Sequence, residues 1–253
     1  MQDLSQTLVL ANKHRAEPEI FYSLQGEGPC SGQPRTFVRL SYCNLTCGWC
    51  DTPYTWNWDD KSFEHESGQR YQRSDEQSTL SFSELTEHVA KFPCTNFVVT
   101  GGEPMVQQRR LGRWFQYLRS SMPDAQFEIE TNATIKPSRE FDDLTALYVC
   151  SPKLKNSQVA RKQRIVDSAM SFFAQSEKAY FKFVVDQDED FEEINELLQA
   201  YRIPAARVYL MPLGTSALES QSKHGWLAQK CLDMGFNFSP RLHLSLFGDG
   251  RGV

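Results

Sequence analysis

The chain has 253 residues, of which 40% are hydrophobic and 23% charged, and its formal net charge at pH 7 is −5. This length is ample for a buried core, and the composition is that of an ordinary globular protein. No apolar run approaches the roughly 18–20 residues of a membrane span, and residues 1–19 lack the apolar core of a secretory signal. The acidic total argues against a protein whose main task is to bind a phosphate backbone. We therefore expect a cytoplasmic protein with no membrane partner and no direct nucleic-acid partner.

Short β-type runs alternate with helical patterns along most of the chain. Some runs, such as those at 97–99 and 183–185, are continuously apolar, as expected of parallel strands covered on both faces. The predicted strands are 36–41, 96–100, 126–131, 146–150, 180–185, 207–211 and 242–247. The predicted helices are 81–92, 109–121, 191–201 and 226–234. This alternation predicts an α/β fold with a largely parallel sheet, either open or curled into a barrel.

Residues 57–78 interrupt the alternation. The segment is polar and rich in charge, and it has few apolar anchors. We interpret it as a surface insertion that is mobile in the absence of ligand. The sequence has no repeat at a fixed period and no clear linker, so it predicts a single domain over residues 1–253 with a polar insertion around 57–78.

Three of the seven cysteines, Cys43, Cys47 and Cys50, form a C-x3-C-x2-C motif directly after a predicted strand. Three thiolates at this spacing can bind three irons of a cubane cluster and leave the fourth iron open to an outside molecule. A structural zinc ion needs a fourth protein ligand, usually Cys or His at a short spacing. No second cysteine pair is present, and the nearest histidine, His65, lies in the polar insertion. The motif therefore favours a [4Fe–4S] cluster, with a zinc site as the alternative.

Polar residues follow three successive predicted strands at their C-terminal ends. They are T-G-G-E-P at 100–104, E-T-N at 130–132 and S-P-K at 151–153. In parallel α/β sheets and barrels, ligands bind at this edge. A glycine pair there lets the backbone approach a ligand, and Glu103 could accept a hydrogen bond from an amine. Each motif alone is typical of an ordinary turn, but their recurrence indicates a shared binding site.

The N-terminal motif L-Q-G-E-G, at 24–28, places two glycines on either side of a carboxylate. Gln25 and Glu27 could recognise the donor-and-acceptor edge of a heterocycle, since a carboxylate pairs with a guanidine-like N–H edge. Arg39, on the strand leading to the cysteines, could bind a substrate carboxylate through two parallel hydrogen bonds. A glycine turn and a solvated arginine explain the same residues equally well, so the pattern alone leaves both interpretations open.

The cysteine motif, with the aromatic Trp49 before its last cysteine, resembles that of the radical S-adenosylmethionine (SAM) superfamily. In that superfamily the open iron chelates SAM, and reductive cleavage gives a 5′-deoxyadenosyl radical. The ordered set L-Q-G-E-G, F-V-R-L, C-x3-C-x2-C-D-T, T-G-G-E-P and S-P-K is similar to the 7-carboxy-7-deazaguanine synthases over roughly residues 20–153. This resemblance implies a carbon–nitrogen lyase of queuosine (deazapurine) biosynthesis. Its substrate would be 6-carboxy-5,6,7,8-tetrahydropterin, which contracts its ring with loss of ammonia.

The resemblance also implies a fold, cofactors and partners. The fold would be an incomplete TIM-like β/α barrel with the cysteine loop at its mouth. The cofactors would be a [4Fe–4S] cluster, SAM and Mg²⁺, and the partners a flavodoxin or ferredoxin-type reductant and a second copy of the chain in a homodimer. The metal ligands implied are Cys43, Cys47 and Cys50 for the cluster and Thr52 for Mg²⁺. The residues implied to bind SAM are Trp49, Cys50, Asp51, Gly102, Glu103, Ser151, Pro152 and Lys153, and those implied to bind substrate are Leu24, Gln25, Gly26, Glu27, Arg39 and Thr100.

Three alternatives are left open by the sequence. An activating enzyme that installs a glycyl radical on a partner protein would share the cysteines and G-G-E-P, but it would give no reason for Gln25, Glu27 and Arg39 to converge. A zinc-binding interaction module would use the cysteines without catalysis. A catalytically inactive homologue could act as a regulator. Three features have no assigned role: the long polar stretch between Thr52 and Leu80, Met211, where some relatives have glutamine, and the end of the chain at 241–253.

Overall fold

The computed structural model describes residues 6–60, 65–214 and 216–253. Their strands are β1 (Thr7–His14), β2 (Glu17–Pro18), β3 (Ile20–Leu24), β4 (Pro34–Leu40), β5 (Gln77–Ser81), β6 (Asn96–Gly101), β7 (Gln126–Thr131), β8 (Leu147–Cys150), β9 (Ala179–Val185), β10 (Val208–Pro212) and β11 (Asn237–Phe238). Their α-helices are α1 (Arg73–Glu76), α2 (Phe82–Val89), α3 (Gln108–Ser121), α4 (Arg139–Leu144), α5 (Arg161–Arg164), α6 (Asp167–Gln175), α7 (Asp190–Tyr201), α8 (Ala217–Ser222), α9 (His224–Met234) and α10 (Leu242–Phe247).

The strands form one sheet in the order β11-β10-β9-β8-β7-β6-β4-β1-β2, with β3 also beside β4 and β5 also beside β1. From β4 to β11 each neighbouring pair is parallel, because the chain returns through at least one helix between them. The strands β1, β2, β3 and β5 pair antiparallel at the other side of the sheet. The order runs from β11 to β2 without closing on itself among the described residues, so the sheet is an open α/β sheet.

Side chains of the parallel strands alternate between two chemically different faces, because successive residues of a strand point to opposite sides. In β7, Phe127 and Ile129 are fully buried in the hydrophobic core under the helices. There Phe127 stacks on Phe115 of α3, with ring centroids 3.7 Å apart. Glu128 and Glu130, which alternate with them along the strand, lie on the opposite face of the sheet. The candidate site described below lies on that face.

Six of the seven predicted strands are confirmed as β4 and β6–β10, and the helical patterns are confirmed as α2, α3, α7 and α9. The strand predicted at 242–247 is wrong, because this segment is α10. Its alternating sequence, L-H-L-S-L-F, resembles a strand, but only Leu244 is buried in it. The backbone N–H of Leu242 donates to the carbonyl of Gly26 at 3.0 Å, so a tertiary contact and not the local pattern decides the conformation.

The interpretation of residues 57–78 as a surface insertion is wrong for several of its members. Asn57, Trp58 and His65 are buried, and residues 77–81 form β5, which pairs with β1 over five residue pairs. The part at 61–64 lies outside the described residues. Parts of the described segment therefore pack against the sheet and the cysteine loop. Within the described ranges no helix is long and apolar enough to cross a membrane.

Candidate active site

A cavity lies at the C-terminal ends of the parallel strands, where the loops that leave successive strands converge. It brings together most of the residues singled out in the sequence. Those that line it are Leu24, Gln25, Gly26, Glu27, Arg39, Cys43, Cys47, Trp49, Cys50, Asp51, Thr52, Thr100, Gly102, Ser151 and Lys153. Glu103 and Pro152 are buried but are not part of its wall.

The three cysteines of the motif occupy one wall of this cavity. Cys47 is buried, and Cys43 and Cys50 are partly exposed; all three pack in a small cluster with Leu45 and Val159. Burial raises the pKa of each thiol, that of Cys47 to about 12. Thiolate ligands at such a site would therefore be stabilised by the metal centre that they bind.

The grouping of these cysteines bears on which metal centre they suit. Among residues 6–60, 65–214 and 216–253, no three His, Cys, Asp or Glu side chains are grouped as the ligands of one metal ion would be. Thiolates that bind different irons of a cubane stand further apart than ligands that share one ion. Three thiolates on a shared wall are the protein ligands of a cubane whose fourth iron stays open, so these residues fit an iron–sulfur cluster.

The glycine pair at the end of β6, Gly101 and Gly102, fixes the start of the cysteine loop. A Cβ on Gly102 would lie 2.2 Å from the carbonyl oxygen of Tyr42 and 3.0 Å from Cβ of Cys43. Gly101 has φ 141°, and a Cβ there would lie 2.0 Å from the carbonyl oxygen of Leu40. Only glycine permits such close approach. The pair therefore lets β6 press against the chain that carries Cys43.

Glu103 connects the ends of β6 and β7 behind the cavity. Its Oε1 accepts from the backbone N–H of Met105 at 2.9 Å and from the hydroxyl of Thr131 at 2.8 Å. Its Oε2 accepts from the backbone N–H of Asn132 at 2.6 Å. Burial raises the pKa of this carboxyl, and the three donors oppose that effect. In this arrangement the Glu103 carboxylate accepts hydrogen bonds from two backbone N–H groups and one hydroxyl of the protein itself.

Lys153 and Trp49 form a polar and aromatic corner beside the cysteines. The Lys153 ammonium lies 5.4 Å from the centroid of the Trp49 ring and 3.1 Å from Oγ of Ser151. The indole N–H of Trp49 donates to Oδ1 of Asn156 at 3.2 Å, which fixes the ring plane. A cation over an aromatic face next to a hydroxyl can receive an anionic group such as a carboxylate.

Arg39 is held in place by a buried pair of partners. Its Nε donates to Oε1 of Glu19 at 2.8 Å, and the other oxygen of Glu19 accepts from the Tyr54 hydroxyl at 2.8 Å. Burial disfavours the charged guanidinium, but Glu19 outweighs it and raises the pKa of Arg39 above its usual value. Since Arg39 lines the cavity, its remaining N–H groups are available to an anion in a fixed orientation.

Charged residues from distant parts of the chain meet around Glu27. Burial would raise the pKa of Glu27, but Lys182 and Arg241 hold it well below its usual range. Lys182 pairs with Oε2 of Glu27, and Arg241 bridges from Oε1 of Glu27 to Asp51. His243 lines the same wall, and burial lowers the pKa of its imidazole.

Gln25 directs its amide toward the sheet. Its Nε2 donates to Oε1 of Glu128 at 2.9 Å and to Oε1 of Glu130 at 3.1 Å, and its Oε1 accepts from the backbone N–H of Glu27. The other oxygen of Glu130 accepts from the hydroxyl of Thr100 at 2.7 Å. Glu130 thereby presents a fixed carboxylate on the cavity wall.

Several of these residues were not predicted from the sequence. Lys182 could have been found, because a lysine inside the otherwise apolar β9 has the strand parity of an inward-facing residue. Arg241 and His243 carry no such signal, since they lie in the stretch 241–253, to which no role was assigned. Within that stretch, His243 also fell in the wrongly predicted strand at 242–247. Glu19 belongs to no sequence motif, and its contact with Arg39 depends on the register of β3 beside β4.

Comparison with known proteins supports the cluster and the fold. A family model described as a 4Fe-4S single cluster domain matches residues 24–168. The crystal structure of QueE from Escherichia coli matches with a TM-score of 0.65 and 23% identity, over 94% of this chain and 95% of that one. This likeness confirms the predicted fold class, an incomplete TIM-like β/α barrel.

Relatives over nearly the full length identify the family. The 7-carboxy-7-deazaguanine synthase of Pyrobaculum aerophilum is 36% identical over 239 residues, which cover 92% of this chain and 95% of that protein. The synthase of Hyperthermus butylicus is 33% identical, with 89% of this chain and 90% of that protein covered. With its cysteine triplet, its open sheet and these relatives, the chain belongs to the 7-carboxy-7-deazaguanine synthase family of radical SAM enzymes.

Proposed function

We propose that this protein is an enzyme that converts 6-carboxy-5,6,7,8-tetrahydropterin to 7-carboxy-7-deazaguanine with loss of ammonia. The observation that carries the proposal is that the cysteine triplet, Arg39 and Glu27 line one cavity. The relatives are named for their product, 7-carboxy-7-deazaguanine, and the chain belongs to their family. The cavity offers a cation for the substrate carboxylate and an anion for the guanidine-like edge of the pterin. The residue types alone had left this pairing open, and the family resemblance favours it.

The cysteines would hold the [4Fe–4S] cluster, and its open iron would bind SAM. When bound, the cluster and SAM together supply the radical chemistry that starts the reaction. The residues of the chain that would contact SAM lie around the cysteines: Trp49, Asp51, Gly102, Ser151 and Lys153. The Lys153 ammonium, placed by Ser151 and Trp49, suits the carboxylate of the methionine part. Glu103 would act behind the wall, by holding the ends of β6 and β7 in place.

The protein's own contribution is to orient the substrate before reaction. Arg39 would bind the substrate carboxylate, because Glu19 and Tyr54 keep its guanidinium charged and fixed. Glu27 stays ionised beside Lys182 and can accept hydrogen bonds from the pterin. Gln25 would act mainly by holding Glu130, since its amide already bonds to the chain on both sides.

Thr52 is proposed to give one oxygen ligand to Mg²⁺. Its hydroxyl lies 3.7 Å from Sγ of Cys50 and lines the cavity. Mg²⁺ commonly takes few protein ligands and completes its shell with water and substrate oxygens. The substrate carboxylate near Arg39 would supply such oxygens.

The location, oligomeric state and reductant of the protein are proposed from the family resemblance. The protein would work in the cytoplasm as a single-domain chain, in a homodimer, with a flavodoxin or ferredoxin-type reductant. Size-exclusion chromatography with light scattering tests the dimer. The flavodoxin or ferredoxin-type reductant is tested by measuring whether it supports turnover in place of dithionite.

The test of the function is anaerobic reconstitution with iron and sulfide, followed by SAM, dithionite and 6-carboxy-5,6,7,8-tetrahydropterin. Mass spectrometry should detect 7-carboxy-7-deazaguanine with the wild type and none with Cys47→Ala. Cleavage of SAM to 5′-deoxyadenosine without that product would retain the radical chemistry and refute the substrate. A colourless protein that holds zinc would refute the whole proposal.

A further inference from the structure

The indole of Trp56 points its N–H at one of the three motif cysteines. Its Nε1 lies 3.3 Å from Sγ of Cys50, within hydrogen-bonding distance for sulfur. Trp56 is only 4% exposed, so water does not compete freely for this donor. Because an indole N–H can only donate, the sulfur is the acceptor.

The chain after the cysteines fixes this contact from several sides. Residues Pro53–Thr55 form a 3₁₀ turn, and the backbone N–H of Trp56 donates to the carbonyl of Pro53 at 3.1 Å. Nε2 of His65 lies 2.9 Å from the carbonyl oxygen of Cys50, and its ring packs edge-on against Trp56 with centroids 6.3 Å apart. Residues on both sides of the donor, Pro53 and His65, thus hold the donor and the backbone of the acceptor residue in place.

We propose that Trp56 is a positioning residue that donates its indole N–H to the Cys50 thiolate of the cluster and raises the reduction potential of that cluster. The proposal rests on the proposed function only in taking Cys50 as a cluster ligand. It gives a role to part of the stretch that follows Thr52, for which the sequence offered none.

The physical reason is the change in charge on reduction. Adding an electron makes the cluster and its thiolates more negative, so a hydrogen bond to a ligand sulfur stabilises the reduced state more than the oxidised one. Hydrogen bonds to the sulfurs are among the factors that set the potential of iron–sulfur clusters. A donor in a buried, low-dielectric position has a larger effect than one in water.

The test compares Trp56→Phe with the wild type after anaerobic reconstitution, with Trp58→Phe as the matched control. Trp58 lies two residues further on and is equally buried, but its indole N–H donates to the carbonyl of Tyr54 at 3.2 Å and not to a sulfur. Iron and sulfide content are measured first, and the potential is then obtained by redox titration followed by electron paramagnetic resonance. We expect Trp56→Phe to lower the equilibrium constant of one-electron reduction about tenfold, a shift of about 59 mV to more negative potential. Trp58→Phe should leave it unchanged.

A fully loaded Trp56→Phe protein with the wild-type potential would overturn the proposal, as would an equal shift in both variants. If Trp56→Phe does not load, β-(3-benzothienyl)alanine at position 56 keeps the shape of the ring and removes the N–H, and the same shift is expected. A wild type that takes up no [4Fe–4S] cluster would overturn the proposal and the proposed function together. A loaded wild type that makes no 7-carboxy-7-deazaguanine would refute the proposed substrate alone, because the potential is measured without substrate.

Discussion

Replacing Glu103 by alanine tests whether this residue holds the protein together or contacts SAM. In the structure, the change removes the acceptor of two backbone N–H groups, those of Met105 and Asn132, and both residues are buried. A buried donor left without a partner costs about 1–3 kcal/mol, so two of them should lower the free energy of unfolding by about 4 kcal/mol. For a chain of this size that corresponds to a fall of about 12 °C in Tm.

The assay is thermal and urea unfolding of the metal-free protein, followed by circular dichroism, so that no bound SAM contributes. Glu84→Ala is the control, because Glu84 also accepts from a backbone N–H, that of Ser81, but at an exposed helix start. It should change Tm far less. A metal-free Glu103→Ala protein that is as stable as the wild type, but binds SAM more weakly after reconstitution, would refute the reasoning and place Glu103 in the SAM site.

Three further predictions concern residues in the cavity wall or behind it. Glu19→Gln removes the negative charge of the buried partner of Arg39 and should cost about 3 kcal/mol of unfolding free energy, with weaker pterin binding measured by calorimetry on the reconstituted protein. Gly102→Ala should abolish cluster loading, measured as iron content, because its Cβ would collide with the backbone that carries Cys43. Burial and the neighbouring Glu130 raise the pKa of Glu128 from 4.5 to about 7. The folded state therefore keeps a proton that the unfolded chain releases, and up to about 3 kcal/mol of stability should be lost as pH rises through this window. Glu128→Gln should lack this loss, as measured by urea unfolding at about pH 5 and about pH 8.

Each of these predictions has a contradicting outcome. Pterin binding that is unchanged in Glu19→Gln would mean that Arg39 does not need its partner. Full iron content in Gly102→Ala would mean that the cysteine loop can move away from β6. A difference between wild type and Glu128→Gln that does not vary with pH would place the titration elsewhere.

The parallel part of the fold could be predicted because its signals are local. Apolar runs marked β6 to β10, and their polar C-terminal residues marked the edge at which the cavity lies. The β1 strand was missed, although it is buried along most of its length, because nothing in a single strand indicates which antiparallel neighbour it will join. The helix α10 was mistaken for a strand because its leucines alternate, and the contact with Gly26 that fixes it is non-local.

Site residues could be predicted from the sequence where they stand in a short motif. They could not be predicted where their partners lie far away along the chain. The cysteines, Gly102 and Lys153 stand in short ordered motifs. Lys182 and Arg241 reach Glu27 from positions more than 150 residues away. Gln25 was singled out for its amide, but the structure shows that this amide is bound to Glu128 and Glu130, which only the folded sheet could reveal.

One face of β7 is apolar and the other carries carboxylates, and this alternation restricts where related chains can gain or lose residues. Adding or deleting one residue within β7 would exchange the parity of the strand beyond that point, bringing phenylalanine to the cavity and a carboxylate into the aromatic core under α3. No single compensating substitution repairs both faces. Length changes in this family should therefore accumulate in exposed turns, such as the one at Gly68, where φ is 67° and an added Cβ would meet no neighbour within 4 Å.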